Sequence, residues 1–406
     1  MKRFLAVLTA VVATAALAGC EGPLEVTAWR PALDLDAAGL QVYWEATGKD
    51  LDLRGGEQLA RLWRMQDGVY CLTTMNRLIA LDAATGLTQW AVQVAPHGES
   101  VYRPVLAANV SLTEKIPGAA EMLAPQKTSP MAPMDVVVIN SSMQVVVIDR
   151  KKGQVVRSIK LDYGAGCGGA TDGVIFCVGA AGGVYYAVSL QQAVTFWRSW
   201  AGAEVQAPIE HFGGAMYIAS VKGEVLCARA GRTAPDPRRR TVGGRVTAAM
   251  YVDNRGCFVP CEDGSLYAFT AGLDGKLWDH PFGCGGPLQA PVQVGERTVF
   301  QRAEGDKFYA INLVDGAQKW ALKDGVQVLA AIGKYVYVRN KAGRLLQVDE
   351  VMGTTEASAS LGALDLFAAN ATEPAVYAGW TGGRVVCLRP LSAGRITEGM
   401  LKRPRP

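Results

Sequence analysis

Few residue types in this 406-residue chain are spaced for chemistry. The three histidines, His97, His211 and His280, stand far apart and form no His-x-x-x-His or similar ligand pattern, so no metal site is expected. No Gly-x-Ser-x-Gly elbow or phosphate loop occurs, and no catalytic residues emerge. Cysteine is the more suggestive type. With Cys20 set aside, eight remain: Cys71, Cys167, Cys177, Cys227, Cys257, Cys261, Cys284 and Cys387. Their connectivity is not readable from sequence, although Cys257 and Cys261, about 13 Å apart along one predicted strand, are too distant to bridge. Cys167 and Cys177 flank Thr171-Asp172-Gly173 symmetrically and would face each other across a hairpin. They are the pair expected to form a disulfide; for the others, a role as small buried hydrophobes is an equal reading. Gly-Cys-Gly-Gly at 166–169 and again at 283–286 reads as a turn between structural units rather than a redox site.

The residues that must position any site come next. Length allows two domains or one large repetitive architecture. Half the residues are apolar, only 19% are charged and 46 are glycine, which excludes disordered and coiled-coil proteins. The formal net charge of +4, with Lys2 and Arg3 in an expected leader, makes no electrostatic case for nucleic acid.

The N-terminus bears on compartment. A basic start, an apolar run from Phe4 to Val12 and small residues ending in Leu17-Ala18-Gly19-Cys20 read as a secretory signal over residues 1–19. Leu-Ala-Gly-Cys resembles the lipobox of bacterial lipoproteins, which implies lipidation at Cys20 and a body held on a membrane through residues 20–39 as a tether. By the same resemblance Glu21 points to the outer membrane, facing the periplasm. An exported chain also permits disulfides.

An internal repeat is the dominant pattern. A β-rich run ends apolar-apolar-Ala-apolar-Asp, followed by a Thr-Gly or similar turn and then Trp; the clearest copy runs from Leu78 to Trp90. Anchoring each copy on its Ala position gives Ala80, Val147, Ala187, Ala228, Ala268, Ala310, Gln347 and Leu388. The spacing is roughly 40 residues except after the first anchor, the size of a four-stranded propeller blade. No unit holds a 3.6-residue period. The expectation is therefore an all-β fold, an eight-bladed propeller of four-stranded antiparallel blades over 40–390. Trp90, Trp197, Trp278 and Trp320 each fall ten residues after an anchor, where a flat ring fits as a wedge between blades. Arg157, Arg238 and Ala357 take that position elsewhere. Trp44 lacks a preceding unit, so its segment is expected to supply the outer strand of the last blade, near 380–390, and to close the ring. The Pro-rich stretch 109–134 is expected as a loop inserted in blade 2, and 391–406 as a solvated tail.

At these motifs the chain resembles the pyrroloquinoline-quinone-type β-propeller repeat family: Ala80 to Trp90 reads Ala-Leu-Asp-x-x-Thr-Gly-x-x-x-Trp. That resemblance raises a quinoprotein dehydrogenase as an alternative. Such an enzyme needs a general base, a Ca²⁺ held by oxygen ligands and usually adjacent cysteines. There is no Cys-Cys dipeptide and no Cys-x-x-Cys-His, and Asp82 and Asp149 are already used as turn residues, so no cofactor is expected. The lipobox, eight repeats and repeat phrase together resemble the propeller lipoproteins of the outer-membrane β-barrel assembly machinery. This implies a non-catalytic scaffold whose partners are envelope proteins and the membrane, through the N-terminal lipid. Ligand or glycan binding in the central funnel is the remaining alternative. Arg238, Arg239 and Arg240 stand in place of the usual turn of blade 4 and read as an exposed outer loop, with contact to lipid phosphate or an acidic partner as the functional alternative.

Overall fold

The structure, a computed structural model, describes residues 33–112, 131–231, 236–305 and 307–394. Within them 32 strands form eight four-stranded antiparallel sheets, and the helical content is two short 3-10 turns, Asp36–Ala38 and Ala181–Gly183. No helix among the described residues is long and apolar enough to cross a membrane.

Blade 1 shows the pattern. Its strands Leu59–Met65, Gly68–Thr73, Arg77–Asp82 and Thr88–Gln93 pair in chain order from the channel outwards. The second strand is buried along its whole length, because it is covered on both faces by neighbouring blades. Blades 2 to 7 repeat this over 105–160, 170–200, 210–241, 251–283, 293–323 and 325–360. Blade 8 takes its inner three strands from 366–390 and its outer strand from Leu40–Thr47, which runs antiparallel to Arg384–Pro390 with Trp44 opposite Cys387. The ring is thus closed by an N-terminal strand, joining positions more than 330 residues apart. A buried ion pair, Arg77 to Glu57 at 2.6 Å, secures the stretch that leads from that strand into blade 1. The 109–134 stretch lies between the first strand of blade 2, Val105–Val110, and its second, Met134–Asn140. Residues 113–130 of it fall outside the described residues, as do 1–32, which include Cys20, and the 395–406 part of the tail.

Blades are joined by one recurring contact. In six blades the turn after the third strand is shaped by a side chain that accepts backbone N–H groups; Asp82 Oδ1 takes those of Ala84 and Thr85, and Asp349 Oδ1 those of Val351 and Met352. In blades 1, 2, 6 and 7 that turn ends in a glycine with positive φ, among them +75° at Gly86 and +73° at Gly353. Against it lies a tryptophan of the preceding blade: a Cβ on Gly86 would stand 2.5 Å from Trp44, and one on Gly353 would stand 2.4 Å from Trp320. Each indole N–H donates to a carbonyl of that neighbouring turn or the residue just after the strand. Trp44 reaches Ala83 O at 3.0 Å, Trp90 reaches Arg150 O at 2.8 Å, Trp197 reaches Gly231 O at 2.9 Å, Trp278 reaches Leu313 O at 3.0 Å and Trp320 reaches Glu350 O at 2.9 Å. Within its own blade each ring leans on an aromatic, as Trp90 does on Tyr70 with centroids 6.1 Å apart.

Trp278 docks from the turn that precedes the outer strand of blade 5, Phe282–Gly283. One expectation needs correction. Arg238–Thr241 is not a loop but the outer strand of blade 4, with Arg238 opposite Cys227. The physical reason is the docking position itself. Arg238 Nη1 donates to Gly272 O of blade 5 at 3.1 Å, and Arg157 donates in the same manner to Gln191 O of blade 3. A guanidinium supplies the N–H that an indole would, over less apolar area.

Replacing Trp90 by Ala should lower unfolding free energy by about 3–5 kcal/mol, since it opens a cavity and orphans Arg150 O. Gly153→Ala should also destabilise, because its Cβ would meet Trp90 at 2.4 Å. Urea denaturation of both variants checks this.

Candidate partner-binding surface

The inner strands face the central channel and are the first place to seek catalysis. Together they carry two carboxylates, Glu210 and Asp253. Each faces an arginine: Arg103 lies 3.8 Å from Glu210, and Arg255 binds Asp253 at 2.6 Å. Among the described residues no three His, Cys, Asp or Glu side chains converge as a metal site. Of the histidines, His211 lies on the inner strand Glu210–Phe212, where burial pulls its pKa down, and His97 Nδ1 meets Thr74 O at 3.2 Å.

The eight described cysteines are all thiols, and seven are buried. The expected Cys167–Cys177 disulfide is absent. Cys167 lies ahead of the two-residue strand Ala170–Thr171, so the register sets Ala170, not Cys167, opposite Cys177. Its sulfur packs instead beside Gly179. Burial pushes the Cys167 thiol up to about 12, and Cys177 is pushed up further for the same reason. Neither is a ready nucleophile at neutral pH.

Of the three adjacent arginines 238–240, Arg239 pairs with Glu224 at 3.2 Å and Arg238 lies 3.9 Å from Asp274 besides its docking bond. Carboxylates of the chain itself therefore already meet two of the three.

A different cluster stands out on the rim where outer strands end. Trp200 closes the outer strand of blade 3, Thr195–Trp200, and is 60% exposed, unusual for so large an apolar ring. It is not loose: its indole N–H donates to Gly182 O at 3.2 Å. Two residues earlier on the same strand, hence on the same face, Arg198 donates to the Tyr163 hydroxyl at 2.5 Å with its guanidinium 5.8 Å from that ring. Tyr163 packs edge-on to Tyr186, with ring centroids 5.7 Å apart. Met143, also exposed, adjoins through its carbonyl, which accepts the N–H of Leu161. Trp, Tyr and Arg on a rigid support are the residue types that anchor protein interfaces. The opposite rim exposes aliphatic side chains at its turns, such as Leu87, Val194 and Val314, and the adjacent pair Val351 and Met352, but no large aromatic ring among the described residues.

Trp200 lies off the repeat position, so the repeat spacing does not mark it. The signal was present in Trp197-Arg198-Ser199-Trp200: side chains three apart on a strand point to opposite faces, so a buried Trp197 requires an outward Trp200.

Comparison with known proteins fits this geometry. The family model of the outer membrane protein assembly factor BamB matches residues 35–166 and 262–405, more than half of the chain. The chain belongs to this family. Among solved structures it is similar to BamB from Moraxella catarrhalis, with a TM-score of 0.63 and 15% identity, over 88% of this chain and 99% of that one. It is also similar to the computationally designed Ika8 protein, with a TM-score of 0.58 and 13% identity, over 82% and 96% of the two chains. At such identities the likeness is one of fold. Comparison with curated proteins gives no match.

In native buffer, alkylation with iodoacetamide should leave the seven buried cysteines unmodified and reach only Cys227, which is half-buried. Mass spectrometry after unfolding in 6 M guanidinium, about the strength that unfolds hyperstable domains, should show all eight as reactive thiols without prior reduction.

Proposed function

We propose that this chain is a non-catalytic scaffold of the bacterial cell envelope that serves outer membrane protein assembly by holding a partner protein against the Met143–Tyr163–Arg198–Trp200 surface. The observation that carries the reading is Trp200: a large ring held in place by its own N–H bond, mostly exposed, beside an arginine already oriented by a tyrosine. Such a surface binds at little entropic cost because its side chains are ordered beforehand. Family membership supports the assembly role, and the neutralised carboxylates of the inner strands support the absence of catalysis.

Anchoring follows from the lipobox. In this reading Cys20 is acylated, residues up to about 39 link it to the ring, and the body faces the periplasm from the outer membrane. Envelope proteins are then the partners, with no nucleic acid and no cofactor.

Crosslinking and co-purification from detergent-solubilised envelopes tests the partner surface. Trp200→Ala and Arg198→Ala should each reduce the recovered partner about tenfold with an unchanged melting temperature. Val314→Ala on the opposite rim should leave recovery intact. Equal recovery in all three refutes the assignment, as would dye reduction by the purified protein on addition of pyrroloquinoline quinone and Ca²⁺.

Cys20→Ser should move the protein from the membrane pellet to the soluble fraction and abolish labelling by radioactive palmitate.

A further inference from the structure

Seven of the eight seams carry a docking side chain, five tryptophans and two arginines, whose N–H reaches the next blade. The exception is the seam between blades 7 and 8. There the docking position holds Ala357, opposite Gln347. Other blades set an aromatic, a small residue and a tryptophan side by side across three strands: Tyr70, Ala80 and Trp90 in blade 1, Phe300, Ala310 and Trp320 in blade 6, Tyr377, Cys387 and Trp44 in blade 8. In blade 7 the row is Tyr337, Gln347 and Ala357, so the large and small positions are exchanged and no ring leans on Tyr337 from the outer strand.

We propose that residues 33–39 are the eighth docking element, a strap that fills the slot left by Ala357 and holds the closing seam of the ring. The segment reaches both blades. Towards blade 7, the Tyr337 hydroxyl donates to Ala38 O at 3.0 Å and Ser360 N donates to Asp34 O at 3.2 Å. Towards blade 8, Leu391 N donates to Gly39 O at 3.1 Å. Leu35 and Ala38 are buried in one apolar cluster with Leu329, Leu345, Ala359 and Leu361. The 3-10 turn Asp36–Ala38 lies against the third and outer strands of blade 7, and Gly39 at φ +63° turns the chain into the closing strand. The carbonyl of Ala38 thus accepts from Tyr337 where elsewhere an indole would pack, and the contact is made by backbone and small side chains rather than by a ring.

A strap differs from a tryptophan in one respect. A tryptophan belongs to the strand it holds and leaves only when that strand unfolds, whereas the strap precedes the closing strand and can detach while all eight sheets persist. Release of 33–39 therefore opens the seam between blades 7 and 8 and spares the other seven.

Hydrogen exchange read by mass spectrometry on the full chain tests this. Leu35→Asp should speed exchange of blade 7's outer strand, Thr355–Ser360, about tenfold while leaving blade 1's outer strand, Thr88–Gln93, unchanged. Adding Gln347→Ala and Ala357→Trp to that variant, which recreates the row of the other blades, should restore protection. The proposal is overturned if Leu35→Asp changes nothing, if it speeds both strands alike, or if the recreated row fails to restore protection in a folded variant. Should Leu35→Asp fail to fold, Tyr337→Phe serves instead: faster exchange confined to Thr355–Ser360 supports the strap, and no change or a uniform change overturns it.

Discussion

One contact recurs at five of the eight seams and sets the angle there: an indole N–H aimed at a carbonyl of the neighbouring blade, with a glycine beneath the ring at four of them. A four-stranded sheet cannot bury both of its faces alone, so each blade needs two neighbours at a constant angle. The indole fixes that angle because it has to satisfy two demands together, close packing of its flat face and a partner for its polar edge. Gly86 and Gly353 meet the first demand, since any Cβ there would occupy the space of the ring. The Asp-capped turn meets the second by presenting its carbonyl in a constant position. Where the side chain is arginine the hydrogen bond survives with less apolar contact, and the ring tolerates it at two seams because the other contacts hold the angle.

That constancy governs what the protein offers to others. Inner strands are locked by the packing of their neighbours, and the two carboxylates on those strands are each paired with an arginine, Arg103 or Arg255. The proposed contact surface lies on one rim, at the end of an outer strand. There Trp200 and Arg198 lie on a strand whose other face is anchored by Trp197, 7% exposed. The residue that docks the blade thereby holds the proposed contact surface still, linking stability to recognition through one six-residue strand.

Several features were legible because they depend on local periodicity. The eight anchors, the Asp and Gly of the turns and the closing role of the Trp44 segment follow from repeat spacing and strand alternation. Others were not. The arginines of blade 4 looked like a loop because Pro235 and Pro237 flank the turn, yet the third strand of the blade offered an open edge that Arg238–Thr241 could pair with. Cys167 and Cys177 looked symmetric about a turn, but Cys167 stops short of the strand, and the register sets Ala170 opposite Cys177. Trp278 docks as its spacing implies but from a turn, since a turn of suitable length delivers the indole as well as a strand does.

By itself the sequence determined the number of blades, their β character and the residues that join them, because each is written in spacing along one strand or one turn. Only the tertiary structure decided which thiols stay unpaired, that Arg157 and Arg238 stand in for tryptophan, and that residues 33–39 pack where Ala357 leaves room. Those outcomes depend on what lies across a seam between blades, and residues brought together there share no local pattern that links them along the chain.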